Sequence, residues 1–308
     1  MVRVMVTGAT GLLGRAVVRE LESQADVEVL ACGYSRAVPG IYKLDLTHSS
    51  QVAAFIETHQ PDVIVHCAAE RRPDVSEQNP AAALALNADA TRSLTQAASQ
   101  SGAWLLYIST DYVFDGTAPP YNESATTSSV NFYGDSKRQG EMIVTEAKQG
   151  FAVLRLPILY GAVETLQESA VMVLLNHLLD ENEQFIDDRA VRSPTSTADI
   201  SVAISQMIRI KISGTAIAGY YHFSAVETMT KYQMLLVMAD ILGLDSLHLK
   251  PVTFPTDSAK RPHDCSLSCE RLASLSIKST VLFNEGIKEV LQQSAAVQSL
   301  LNKKKNSE

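Results

Sequence analysis

The chain has 308 residues, 46% of them hydrophobic and 19% charged, and carries a formal net charge of -8. That is enough apolar material for one large α/β domain, alone or with a smaller companion, and it excludes global disorder. The acidic balance, with no dense basic face, excludes nucleic acid as the main partner, and the one basic cluster, Lys303 to Lys305, reads as a solvated end.

In chain order, Val2 to Val6 is a short apolar run ending at Thr7-Gly8, followed by an amphipathic stretch from Leu12 to about Ser23. Val27 to Cys32 is the next β-rich run, then a helical stretch near Ser49 to His59, a strand at Val63 to His66, and an alanine-rich helix from about Pro80 to Gln100. The strand Trp104 to Ser109, a polar loop, a helix bearing Tyr133 and Lys137, and the strand Ala152 to Leu156 complete this half. Nearly uniformly apolar strands alternating with helices predict a doubly wound, Rossmann-type parallel sheet over residues 1–160. Beyond it the alternation loosens. Helices are predicted near Glu168 to Leu179, Thr197 to Ile210 and Lys231 to Ile241, with a strand-like piece at Gly219 to Ser224 and loops punctuated by Pro194, Pro251, Pro255 and Pro262. Residues 161–308 therefore read as a smaller, mixed substrate or partner region, with some segments returning to the core.

Cys32 and Cys67 fall in apolar runs, and Cys265 and Cys269 have no second ligand pair, so neither a disulfide framework nor a metal site is expected. His66 and His222 sit at apolar strand positions without metal-spaced companions and read as hydrogen-bonded core histidines. Asp187 and Asp188 read as loop residues. No apolar run reaches the roughly 18 residues of a membrane span. Met1 leads directly into a strand, so a leaderless chain in a reducing, cytoplasmic setting is expected.

Two local patterns carry chemistry. The segment TGATGLLG places Gly8, Gly11 and Gly14 between a strand and a helix, where glycines let the backbone approach a pyrophosphate held on helix N-terminal amides. At the end of the second strand, Cys32-Gly33-Tyr34-Ser35-Arg36 offers no acid for a ribose 2'-hydroxyl, while Arg36 is placed for a 2'-phosphate, so NADP(H) is preferred over NAD(H). Asp45 is positioned for the adenine, and the backbone of Cys67, Ala68 and Ala69 for the nucleotide. In NFYGDSK, Tyr133 and Lys137 lie one helical turn apart, so the Lys137 ammonium is expected beside the Tyr133 phenol, lowering its pKa toward that of a working general acid. Glu70, Arg71 and Arg72 follow a strand at the carboxyl edge of the sheet, where α/β proteins bind ligands.

Together TGATGLLG, VIVHCAA, Asn87, STDYVFDG and YGDSK resemble an extended short-chain dehydrogenase/reductase of the dTDP-4-dehydrorhamnose reductase family. The resemblance implies that Thr110 (or Ser109) holds a substrate carbonyl, Tyr133 protonates it, Lys137 binds the nicotinamide ribose, and Asn87 supports the site from below. It implies a cofactor set of Thr7, Gly8, Thr10, Gly11, Leu12, Leu13, Ser35, Arg36, Asp45, Cys67, Ala68, Ala69, Asn87, Tyr133, Lys137 and Pro157. Sugar-nucleotide dehydratases look for Asp-Glu after the threonine, whereas this chain reads Asp111-Tyr112, which argues against dehydration. CAAERRPDV, VLRLPILYG, MTKYQM and the loop at Arg261-Pro262 look instead like a non-catalytic branch of the same family, the regulatory beta subunits of methionine adenosyltransferase. That likeness implies an NADP-holding subunit whose partner is the catalytic adenosyltransferase, with Glu70, Arg71, Arg72 and Arg261 facing substrate or partner. The tail LLNKKKNSE departs from the aromatic, basic tail of those subunits. A sugar-nucleotide substrate is the alternative.

Overall fold

The strand runs of the first half pair into one sheet in the computed structural model, which describes residues 1–254 and 259–305. Pro255, expected in a loop, and the side chains of the Lys303–Lys305 cluster fall outside what is described. The strands of this sheet are β1 (Val2–Thr7), β2 (Val27–Gly33), β3 (Tyr42–Lys43), β4 (Val63–His66), β5 (Trp104–Thr110) and β6 (Ala152–Leu156). Short strands follow at β7 (Leu159–Tyr160), β8 (Gln184–Asp187), β9 (Thr195–Ser196), β10 (Gly219–His222) and β11 (Leu249–Val252). The sheet has seven strands in the order β10-β6-β5-β4-β1-β2-β3, and every pairing in it is parallel. Val4 faces Val29 on one side and Val63 on the other. Every residue of β4, β5 and β6 is buried, which is why these strands show no polar alternation: helices cover both faces.

Helix Leu12–Glu22 packs against Thr197–Ile212, whereas Ser49–His59 packs on Ala90–Ser101, which packs on Phe132–Glu146. With right-handed crossovers, the reversal of strand order between β1 and β4 sends these two sets to opposite faces. It also opens a crevice at the carboxyl ends of β1 and β4, where doubly wound sheets bind ligands.

The second half contributes more to this sheet than a separate region would. β10 is its seventh strand, and Ile200, Ile204, Met207, Ile217, Tyr221 and Phe223 belong to its core. A second apolar cluster joins Tyr160, Leu166, Leu174, Leu175, Met234, Met238, Phe283 and Ile287, beside the two-stranded pairs β8–β11 and β7–β9. The helix predicted over Glu168 to Leu179 is broken into 3-10 turns at Leu166–Glu168 and Met172–Leu174 and a short helix at Leu175–Leu179. Ser169 accounts for the break: its hydroxyl donates to Leu159 O at 2.8 Å and accepts from the backbone N–H groups of Val171 and Met172 at 3.2 Å. This local bonding competes with helix continuation.

Candidate functional site

The glycine turn is shaped for close backbone approach. Gly8 has φ of +66°, and a Cβ there would lie 2.8 Å from Cα and N of Ala68, so only glycine fits where β1 and β4 hand over to their loops. Thr7 Oγ1 lies 2.7 Å from His66 Nδ1, whose Nε2 lies 3.1 Å from Thr91 Oγ1, tying the strand ends to helix Ala90–Ser101. Burial pushes His66 down to about 3, so it is a neutral core histidine. His222 is of the same kind: burial holds it at about 3, and Nδ1 lies 3.1 Å from Ser268 O.

A cavity of about 660 Å³ opens at this crevice, lined by Thr7, Gly8, Thr10, Gly11, Leu12, Leu13, Ser35, Arg36, Asp45, Cys67, Ala68, Ala69 and Pro157. Thr110, Tyr133, Lys137, Arg71 and Arg261 line it too. Three expected residues stay out of that lining. Asn87 is fully buried, and its amide accepts from Glu70 N at 2.9 Å and donates to Glu70 O at 3.0 Å and Ser136 Oγ at 2.9 Å. It therefore fixes the segment after β4, and a π turn at Ala85–Asp89 marks its helix. Glu70 and Arg72 grip each other through bonds of 2.9 and 2.8 Å, which makes them a partly solvated ion pair and leaves Arg71 as the cleft-facing member of the trio.

At the β2 end of the cleft, Arg36 is held by carboxylates. Its guanidinium pairs with Glu168 and, at 3.1 Å, with Glu164, and donates to Thr10 O at 2.6 Å. Burial opposes ionisation of Glu168, but Arg15 and Arg36 hold it down to about 2. Glu168 and Arg15 were not anticipated, since their partners are remote in sequence. Cys32, buried, and Cys67, half-buried, stand in the wall, and desolvation pushes both thiols up to about 12.

On the chemical side, helix Phe132–Glu146 starts at Asn131, which accepts from Gly134 N at 2.9 Å and donates to Lys260 O at 2.9 Å. A Cβ at Gly134 would lie 2.1 Å from Tyr112 O, so glycine lets this helix sit against the loop after β5. Thr110 Oγ1 donates to Asp111 Oδ1 at 3.1 Å and accepts from Tyr112 N at 3.2 Å. Ser109 Oγ, buried in the same wall, has no partner among the described residues and is a ready donor for a ligand oxygen. Burial pushes the Asp111 carboxyl up to about 6, with Arg192 and Thr110 opposing. The sequence signal for Asp111 was its adjacency to Thr110.

The expected lowering of the Tyr133 pKa by Lys137 is not met. Burial raises the Tyr133 phenol, with Thr110 only partly opposing. Lys137 is 2% exposed, with its Nζ 4.0 Å from the centroid of the Tyr107 ring. Burial pushes it down to about 7, and Glu141 opposes. Both groups are therefore shifted toward their neutral forms, because burial disfavours charge at each and their neighbours offset it only in part.

A doubly wound parallel sheet with a glycine turn at its switch point and a Thr-Tyr-Lys set across the crevice defines a Rossmann-type protein of the extended short-chain dehydrogenase/reductase class. The chain belongs to the RmlD substrate binding domain family, whose model matches residues 2–296. It is 45% identical over 291 residues to methionine adenosyltransferase 2 subunit beta of Bos taurus, covering 94% of this chain and 87% of that one. To the dTDP-4-dehydrorhamnose reductase of Streptomyces griseus it is 34% identical over 255 residues, covering 82% and 80%. The dTDP-4-dehydrorhamnose reductase of Bacillus anthracis, solved in complex with NADP, superposes with a TM-score of 0.82 at 28% identity, covering 96% of this chain and 99% of that chain.

Proposed function

We propose that this chain is an NADP(H)-holding regulatory subunit that associates with a methionine adenosyltransferase catalytic subunit in the cytoplasm and modulates S-adenosylmethionine synthesis. The observation that carries this reading is the likeness to the beta subunits, which is both broader and closer than that to the reductase. The cleft supports a dinucleotide through the Gly8 cradle and the lining of Thr10, Ser35 and Arg36. Arg36, with no acid on its own turn, supports a 2'-phosphorylated one. Co-purification with a catalytic adenosyltransferase in the presence of NADPH tests the proposal, and absence of association refutes it.

The convergence of Thr110, Tyr133, Lys137 and the orphan Ser109 hydroxyl on one cavity favours a second reading, reduction of a 4-keto sugar nucleotide. A bound nicotinamide would supply the hydride. Ser109 and Thr110 would hold the carbonyl oxygen, Tyr133 would give it a proton, and Arg71 and Arg261 would face the diphosphate. NADPH oxidation with dTDP-4-keto-6-deoxy-L-mannose, abolished by Tyr133→Phe, is the expected result on that reading; no turnover removes it.

A further inference from the structure

We propose that the Glu164 and Glu168 carboxylates occupy the anion site that a cofactor 2'-phosphate would take, making the turn that carries them a phosphate-displaced latch. The inference rests on the reading that the cleft holds NADP(H), and it adds how the phosphate is distinguished from a hydroxyl.

Four charged groups meet at the adenosine end of the cleft. Arg36 Nη1 donates to Glu168 and, at 3.1 Å, to Glu164 Oε2. Arg15 donates to Glu168 Oε2 at 2.5 Å, Thr10 O at 2.7 Å and Ala162 O at 3.2 Å. Glu168 Oε2 also accepts from Glu164 N at 3.0 Å, which folds the turn onto its own carboxylate. Two guanidinium groups and two carboxylates sum to no net charge. A dianionic phosphate approaching Arg36 thus meets a neutral cluster, and gains full attraction only by displacing the glutamates. A ribose 2'-hydroxyl brings no charge and leaves the cluster shut.

The displacement needs little chain movement. Val163 and Leu166 are buried in the second apolar cluster, and Ser294 Oγ donates to Val163 O at 3.4 Å, so the turn stays anchored while its carboxylates swing. The same turn reaches across the cleft, where Arg71 Nη2 donates to Gln167 O at 2.7 Å. That backbone bond is kept while the carboxylates swing, so the latch opens without disturbing the cleft-facing arginine.

The test measures dissociation constants of NADPH and NADH, by nucleotide fluorescence, for the intact wild-type protein, Glu164→Gln, Glu168→Gln and the double variant. Glu164 is 60% exposed, so Glu164→Gln keeps the test informative if Glu168→Gln disturbs folding. Removing one competing charge is expected to tighten NADPH about three- to tenfold and the pair more, with NADH changing less than about twofold. NADPH binding that is weakened or unchanged overturns the latch, because the carboxylates would then be orienting Arg36 or be irrelevant to it. Equal tightening of both nucleotides overturns it as well. Failure of the wild type and every variant to bind either nucleotide overturns the cofactor reading and the latch together, an outcome distinct from failure of the latch alone.

Discussion

Lys137→Met isolates the electrostatic state of the candidate site. Lys137 is 2% exposed, and burial moves its ammonium from 10.5 to about 7. That difference corresponds to about 5 kcal/mol of penalty on the charged form. In the unfolded chain the lysine keeps its proton up to about pH 10.4. Between the two values the unfolded state binds more protons than the native one, so stability rises with pH across this window. The penalty is complete below pH 7 and is relieved as pH climbs toward 10. Between pH 6 and pH 9 the relief amounts to about 2–3 kcal/mol. Methionine keeps the length of the stem and cannot titrate, so every other ionisation cancels in the comparison of the two proteins. Urea denaturation of wild type and variant at pH 6, 7.5 and 9 is the assay. The advantage of the methionine variant is expected to shrink by about 2–3 kcal/mol from the acid to the alkaline end. A difference independent of pH would show that Lys137 keeps its proton inside the fold and would refute the reasoning.

Gly8→Ala places a methyl 2.8 Å from the Ala68 backbone at φ of +66°; NADPH affinity is expected to fall at least about tenfold, and unchanged affinity in a fluorescence titration would disprove the cradle. Glu141→Gln leaves Arg155 uncompensated in a pair whose side chains are each 2% exposed. Its cost is about 3–5 kcal/mol, read as a lower urea midpoint, and a loss below about 1 kcal/mol would mean that Arg155 finds another anion. Asn87→Ala removes the clamp on both backbone groups of Glu70, so about 1–3 kcal/mol of stability should be lost. Proteolysis in the Glu70–Arg72 segment is expected to quicken, and an unaltered cleavage rate there would count against the clamp.

The parts of this site that were legible in the sequence are those confined to one element. Gly8, Gly11 and Gly14 sit in a strand–turn–helix, and the Tyr133–Lys137 pair is fixed by one turn of a single helix. Arg36 was legible as a cation at the end of β2, but its neighbours were not. Among the trio after β4, composition could not say that Glu70 and Arg72 would pair and leave Arg71 to the cleft. That depends on Asn87 pinning the Glu70 backbone from a helix that begins elsewhere.

The sequence by itself determined the parallel alternation, the glycine turn, the Thr-Tyr-Lys set and the likeness to its family, because spacing along a strand or helix translates directly into shared faces. Only the tertiary structure decided the entry of β10 into the main sheet, the capture of Arg36 by a glutamate 132 positions away, and the shift of Tyr133 and Lys137 toward their neutral forms. Those outcomes depend on which surfaces are stacked and how much water they exclude. Desolvation and long-range ion pairing are properties of the assembled layers, and no local window of the chain contains them.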